Sequence, residues 1–561
     1  MKKLSLSLLI IIILAFFFRL IFLDRIPTGI SNDELDYILN SKAVYLTGSD
    51  ISQTWSPFSL TTPTSSFPQA ELPPVLTSLF IGPLPLSLFW SKLPYVFISV
   101  ATVGLLYLLT KKLIGETEAL FVGLIGALNP WLIFFGRTAY DTPISIFFYL
   151  SALYILLIAK KWHILFAFPL LFLAFYSYIG AKIIFIPFAF VAIVFSWLRN
   201  KRYGVQYIIL FTLCSLLFLL SAISILHNGA RVGELSTPNM QQIIEIVNGE
   251  RRLSIHTPLT TIFSNKYVVF GKYVLDKYFN AFSPKFLFLN GDGKSLFSVW
   301  YHGTFYYIDA LFLLIGFGVL FKTNKKILGL LTLLIAIAPL PSVVSNVGES
   351  YAIRSFLLAP IFLIFIGVGL HYVLNKYRFS WLIIVPIYLL LLLNFINIYF
   401  LRNPIYNSES FSLSSRVLVK YLSLKGNNQV FVINGNPATP LKQYLFYTNS
   451  YNNSSKDEIA KQLKKGGSYI FNRINFIDCK SASGIPNDSL VIFDDVKCVS
   501  KSRNEAIIAQ LNDGGRLYTI NNDNICSSYR LSRYPYGITF SDLNIEKLSA
   551  KDFCEKFITR Y

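Results

Sequence analysis

Charge is scarce in this chain. Of 561 residues only 14% are Asp, Glu, Lys or Arg, against about 25% in an average soluble domain. That deficit excludes an ordinary soluble enzyme, and a hydrophobic share of 54% excludes a disordered chain. Familiar chemical signatures are missing as well: the sequence holds no P-loop, no G-x-G-x-x-G, no G-x-S-x-G and no H-E-x-x-H. ATP-driven transport, cytoplasmic nucleotide-sugar chemistry and serine hydrolysis therefore lack their usual marks. No internal repeat, heptad array or low-complexity tract interrupts the chain.

Apolar length is what the chain has in plenty. Phe alone supplies 50 residues, and the mean hydropathy is +0.53. Apolar runs occur at the N-terminus and near 93–110, 117–135, 143–159, 163–179, 181–198, 205–226, 304–321, 327–345, 353–374 and 380–401. Each approaches the length that a helix needs to cross a core of about 30 Å, which predicts about eleven transmembrane helices. The segment 72–90 is too rich in proline for a clean span. The N-terminal run follows Lys2 and Lys3 like a secretory signal, but it is too long and no small-x-small cleavage site follows it. It reads as an uncleaved first span.

The formal charge of +20 acquires meaning once it is placed. Lys2 and Lys3, Lys111 and Lys112, Lys160 and Lys161, Arg199 with Lys201 and Arg202, Lys322 with Lys325 and Lys326, and Lys376 with Arg378 occupy alternate connections. Positive-inside bias puts those connections and the N-terminus in the cytoplasm. The basic excess is then topology signal and contact with membrane lipids, and nucleic acid drops out as a partner. An odd number of spans leaves three large external pieces: about 24–92, about 227–303 and the region after Arg402.

That last region, 403–561, turns to Asn, Ser, Lys and Asp. It alternates strand-like QVFVI, SYIF, LVIFDD and RLYTI with helix-like KDEIAKQLKK and NEAIIAQL, which predicts a small extracytoplasmic α/β domain. Cys479, Cys498, Cys526 and Cys554 all fall in it, whereas Cys214 lies within an apolar run. Four cysteines in an oxidising compartment predict two disulfides, with three pairings open. Zinc is disfavoured because the spacings are too wide for C-x-x-C pairs. Asp494 and Asp495 end a strand-like run and read as solvated turn residues.

Chemistry is sought at the external ends of the spans. Asp33 and Glu34 stand just outside the first span, and Ser31 with Glu34 forms an S-x-x-E capping box. Either the acids only start a helix, or one serves as a general base whose position the cap fixes. In the second external turn Arg137 and Asp141 are four residues apart. Lys182 ends a run holding Tyr176 and Tyr178, Arg354 follows Glu349 and Tyr351, and Asp292 and His302 lie in the third external piece. Cations at the interface are commonly snorkelling anchors, yet an anionic lipid phosphate needs such groups. His302 and His256 have no partner at ligand spacing, and neither is assigned to a metal.

The order of these pieces resembles the GT-C superfamily of polytopic glycosyltransferases, of the protein O-mannosyltransferase and lipid A aminoarabinose transferase type. The resemblance runs over about residues 1–400. It rests on P-x-G-x-x-x-D-E-x-x-Y at Pro27, Gly29, Asp33, Glu34 and Tyr37, and on Glu71-Leu72-Pro73-Pro74. Arg137 with Asp141, the Tyr-x-Tyr-x-x-x-Lys run, FSPKFLFLNGDG and Ala-Ile-Arg at Arg354 complete it. The resemblance implies transfer of a sugar, with inversion, from a polyprenyl-phosphate donor to a protein, lipid or glycan acceptor outside the cytoplasm. It implies Asp33, or its neighbour Glu34, as catalytic carboxylate, Asp141 as its helper, and Lys182, Arg354 and Arg137 on the donor phosphate. It allows a divalent metal as cofactor and requires none. A transporter or flippase of lipid-linked glycans, and a membrane-anchored binding or assembly protein, are the rival expectations.

Overall fold

The computed structural model describes residues 6–59, 69–228, 240–293, 296–345, 350–426, 428–482, 485–486, 489–498, 506–535 and 537–560. Lys2, Lys3 and Glu349 lie outside these residues. The chain forms two compact units. One comprises residues 1–18, 98–136 and 141–395; the other comprises 19–97, 137–140 and 396–561.

The first unit is helical. Among the described residues of the whole chain, six helices are long and apolar enough to cross a membrane: Leu88–Leu113, Ala181–Arg199, Lys201–Ile223, Lys325–Val344, Leu358–Lys376 and Trp381–Tyr406. Leu6–Leu20, Thr142–Ile158 and Lys161–Ser177 are apolar but shorter. Every apolar run identified above contains helix, and the run at 117–135 divides at Asn129, whose side chain caps the following helix Pro130–Phe135. Segment 72–90 forms the nine-residue helix Pro73–Ile81 instead of a span. Small residues set the closest helix approach in this unit. A Cβ on Gly316 would lie 1.9 Å from the Phe365 carbonyl oxygen, and one on Gly369 would lie 2.0 Å from that of Phe312. Only glycine permits helices Asp309–Thr323 and Leu358–Lys376 to meet backbone to backbone.

The second unit carries a mixed sheet. Its strands are β1 (Val430–Ile433), β2 (Tyr469–Phe471), β3 (Ile474–Ile477), β4 (Leu490–Asp494), β5 (Ala506–Ala509), β6 (Arg516–Asn521) and β7 (Ile558–Arg560). The spatial order is β2-β3-β1-β4-β6-β5-β7. β1 runs parallel to β3 and β4, and the remaining pairs are antiparallel. QVFVI, SYIF, LVIFDD and RLYTI become β1, β2, β4 and β6, and KDEIAKQLKK becomes helix Lys456–Lys465.

Two expectations need correction. Asn504 and Glu505 lie outside the described residues, and the rest of NEAIIAQL is not a helix: its AIIA core is β5, buried at all four positions between β6 and β7. A short apolar run centred on two β-branched residues suits a strand buried on both faces, and its length cannot carry a helical period. Asp494 is not a solvated turn residue either. It is buried and accepts hydrogen bonds from Asn434 Nδ2 at 2.6 Å and from the Val496 amide at 3.1 Å. The cysteines pair in sequence order, Cys479 with Cys498 and Cys526 with Cys554, and Cys214 is buried and free.

Candidate functional site

In the second unit the site begins with the helix Asn32–Thr47. The Ser31 side chain accepts from the Glu34 amide at 3.3 Å, and Glu34 Oε2 accepts from the Ser31 amide at 2.9 Å. This is the reciprocal capping box that the S-x-x-E spacing predicts. Glu34 does more than cap. It is fully buried, and its Oε1 accepts the Ala139 amide at 2.7 Å, tying the loop 137–140 to the helix start. The Tyr140 hydroxyl lies 3.3 Å from Ser31 Oγ in the same contact.

Capping by Glu34 leaves its neighbour unspent. Among the described residues the Asp33 carboxylate has no hydrogen-bond or ion-pair partner. Burial, with Asp36 and Glu34 nearby, pushes it up from 3.8 to about 6. Asp36 is held otherwise, in a buried ion pair with Lys442 Nζ at 2.7 Å. Three adjacent carboxylates thus have different fates, and Asp33 alone combines partial burial, a raised pKa and open lone pairs. A carboxylate in that condition can accept a proton near neutral pH.

The chain entering this helix is clamped by three buried cations. Arg137 Nη2 donates to the Ile26 carbonyl at 2.8 Å, Arg416 Nη1 to Thr28 at 2.6 Å, and Lys92 Nζ to Gly29 at 3.0 Å. None of the three side chains is more than 1% exposed. Arg137 also donates to the Arg19 carbonyl at 3.1 Å and the Tyr399 hydroxyl at 3.3 Å, and stacks on Tyr399 and Phe400. Arg416 meets both oxygens of Glu546, at 2.7 and 2.5 Å. Burying cations at this density requires such saturation by carbonyls and a carboxylate. Gly29 fits because the Phe411 carbonyl oxygen would stand 2.2 Å from any Cβ placed there.

The first unit holds the other predicted residues. Asp141 ends the loop before helix Thr142–Ile158 and is buried, with Thr142 Oγ1 donating to its Oδ1 at 3.4 Å. Tyr178 hydrogen-bonds Thr142 and lies within the fields of Asp141 and Arg354; burial pushes its phenol well above the ordinary value, and the Arg354 charge opposes that rise. Arg354 ends the short helix Tyr351–Arg354, whose Ala352 amide donates to Asp292 Oδ2 at 2.9 Å and whose Ala352 carbonyl accepts Trp131 Nε1 at 3.0 Å. The FLNGDG segment therefore supports the Arg354 turn. Lys182 is buried, with Nζ 5.4 and 5.2 Å from the rings of Phe175 and Tyr176. His302 Nδ1 pairs with the Gly303 carbonyl at 2.7 Å, and burial lowers its pKa.

Lys92, Arg416 and Glu546 were not singled out by sequence. Lys92 had a signal, since it is a lone cation at the mouth of an apolar run, the criterion that selected Lys182. Arg416 and Glu546 are 130 residues apart and carry no local pattern. Among the described residues no three His, Cys, Asp or Glu side chains converge as a metal-ligand set.

No family model and no curated protein matches the chain. Among solved structures it is similar to ArnT from Cupriavidus metallidurans bound to undecaprenyl phosphate, at 12% identity over 92% of this chain and 98% of that one, with a TM-score of 0.48. It is similar to the Archaeoglobus fulgidus oligosaccharyltransferase in complex with zinc and sulfate, at 12% identity over 87% and 68%, with a TM-score of 0.46. The archaeal oligosaccharyltransferase AglB from Archaeoglobus fulgidus, in complex with an inhibitory peptide and a dolichol-phosphate, gives 12% identity over 92% and 74% and a TM-score of 0.42. Each is a likeness in chain path at low identity.

Proposed function

We propose that the chain is a multi-pass membrane glycosyltransferase that moves a sugar from a polyprenyl-phosphate donor to a protein, lipid or glycan acceptor on the extracytoplasmic face. The observation that carries this reading is the state of Asp33: partly buried, raised to about 6, and unpaired among the described residues while Glu34 holds the frame. In the proposed step an Asp33 oxygen takes the proton of the acceptor hydroxyl or amine as that atom attacks the anomeric carbon. The bond from that carbon to the donor phosphate breaks, and the polyprenyl phosphate leaves with the electron pair. One base suffices for inversion, because the leaving phosphate is already an anion and needs cations rather than a proton.

For the phosphate we assign Arg354 and Lys182, with Asp141 and Tyr178 orienting Arg354. The contacts of Arg137 support a role in holding the loop before Asp33. Residues 1–402 would form the catalytic membrane part and 403–561 an external domain. The alternate placement of Lys and Arg and the two disulfides support a cytoplasmic N-terminus and an external C-terminal domain.

The test is sugar transfer in membranes from a panel of radiolabelled polyprenyl-phosphate sugars, by wild type and Asp33→Asn. Transfer by wild type that falls by roughly 10²–10⁴-fold in a folded variant supports the base. Undiminished transfer in the variant refutes it.

A further inference from the structure

The external segment between Met240 and Asn280 folds as a helical hairpin with its own small core. Helices Met240–Arg252 and Lys266–Asn280 pack through Ile243, Val247 and Val269. Lys272 faces Glu250 at 3.8 Å, and Arg251 Nε donates to the Ser264 carbonyl at 2.8 Å. The tip, which includes the short helix Pro258–Phe263, turns its apolar side chains away from that core. Leu253 and Ile255 are 86% and 85% exposed, and Leu259, Ile262, Phe263 and Tyr267 are each more than half exposed. Leu253, Ile255 and Tyr267 exceed the 66% of Ile383 and Leu390 on the membrane-crossing helix Trp381–Tyr406, and Leu259, Phe263 and Ile262 fall slightly below it. A folded hairpin presenting six large apolar groups at one end has a partner for them.

Two observations identify the partner as the lipid bilayer. The hairpin's base is fastened to a membrane-crossing helix: Lys277 Nζ donates to the Ser345 carbonyl at 2.6 Å, and the Tyr278 hydroxyl to Ala336 at 2.9 Å, within Lys325–Val344. Ala336 lies inside that helix and Ser345 is the residue that follows its end. The hairpin's base thus sits beside the end of a membrane-crossing helix. The tip's charge has one sign, since residues 251–267 contain Arg251, Arg252 and Lys266 and no Asp or Glu. Apolar groups interleaved with cations suit the boundary between acyl chains and anionic head groups. We infer that the tip of this hairpin inserts into the membrane interface and favours anionic lipid. The assignment is independent of the sugar-transfer reading.

A thiol at position 259 reads this directly. Cys214 is buried and the other four cysteines are bonded, so Leu259→Cys takes an environment-sensitive fluorophore on the full chain in liposomes. The vesicles are phosphatidylcholine with or without phosphatidylglycerol, carrying nitroxides at the head group or along the acyl chain. The expected depth is roughly 5–10 Å below the head groups. Emission therefore shifts to the blue, and acyl-chain nitroxides quench it more than head-group ones. A Lys461→Cys label on helix Lys456–Lys465 stays unquenched. Phosphatidylglycerol deepens the quenching, and Arg251→Gln with Arg252→Gln removes that dependence. Quenching by head-group nitroxides alone, or none, overturns the inference. Cross-linking between labelled copies without lipid quenching would assign the patch to a second chain and overturn it equally. Quenching that ignores phosphatidylglycerol would overturn the preference for anionic lipid.

Discussion

Replacing Asp33 by Asn should lower transfer by roughly 10²–10⁴-fold and stabilise the fold. The carboxyl rises from 3.8 to about 6 in the folded chain because of burial and the charges of Asp36 and Glu34. The folded state therefore binds the proton more tightly than the unfolded state, and the ionised group costs stability above pH about 6. That cost is relieved as the pH falls from about 6 towards 4. A shift of about two units corresponds to at most about 3 kcal/mol. Favourable placement in the first helical turn returns under about 1 kcal/mol of it, leaving roughly 2 kcal/mol for Asn to recover at pH 8. Denaturant unfolding of detergent-solubilised wild type and Asp33→Asn at pH 8 and pH 4 measures this. The variant should be the more stable at pH 8, with the gap closing at pH 4. A variant less stable than wild type at pH 8 would mean that Asp33 holds the helix start, and would refute the reasoning.

Other perturbations follow from the clamp and the disulfides. Glu546→Gln leaves the Arg416 guanidinium buried without its carboxylate, and should cost about 3 kcal/mol, the lower end for a broken buried pair since Glu546 is partly exposed. Unfolding should show this loss, and an Arg416→Met/Glu546→Leu pair should regain most of it. Gly29→Ala drives a methyl group against the Phe411 carbonyl. Stability should fall by about 1–3 kcal/mol, and transfer should fall too, because the displaced chain leads to Asp33. Removing Cys526–Cys554, which closes a 28-residue separation, should cost about 3 kcal/mol, seen as a lower unfolding midpoint whose remaining response to reductant comes from Cys479–Cys498 alone.

Local signals were legible and distant ones were not. The capping box at Ser31 and Glu34 formed as its spacing predicts, because both partners lie within one helical turn. Apolar runs became helices, and alternating β-branched stretches became β1, β2, β4 and β6. NEAIIAQL misled because four apolar residues carry no period, and only the neighbouring β6 and β7 decide that they form a strand. The division of labour between Asp33 and Glu34 was not legible either. It depends on the Ala139 amide, 105 residues away. The cationic clamp on residues 26–29 gathers side chains from positions 92, 137 and 416, each unremarkable in its own stretch.

The central claim is that Asp33 is the base of a sugar transfer. Transfer from radiolabelled polyprenyl-phosphate donors, followed against pH in wild type, Asp33→Asn and Glu34→Gln, tests it most directly. Wild-type transfer should fall as the pH drops through about 6, because only ionised Asp33 accepts a proton. Asp33→Asn should lose roughly 10²–10⁴-fold of transfer at every pH above the limb, and Glu34→Gln, which keeps a capping side chain, should retain transfer with the acid limb moved to lower pH, because the Glu34 charge helps to raise Asp33. Full transfer by folded Asp33→Asn, or an acid limb that survives in it, would contradict the account.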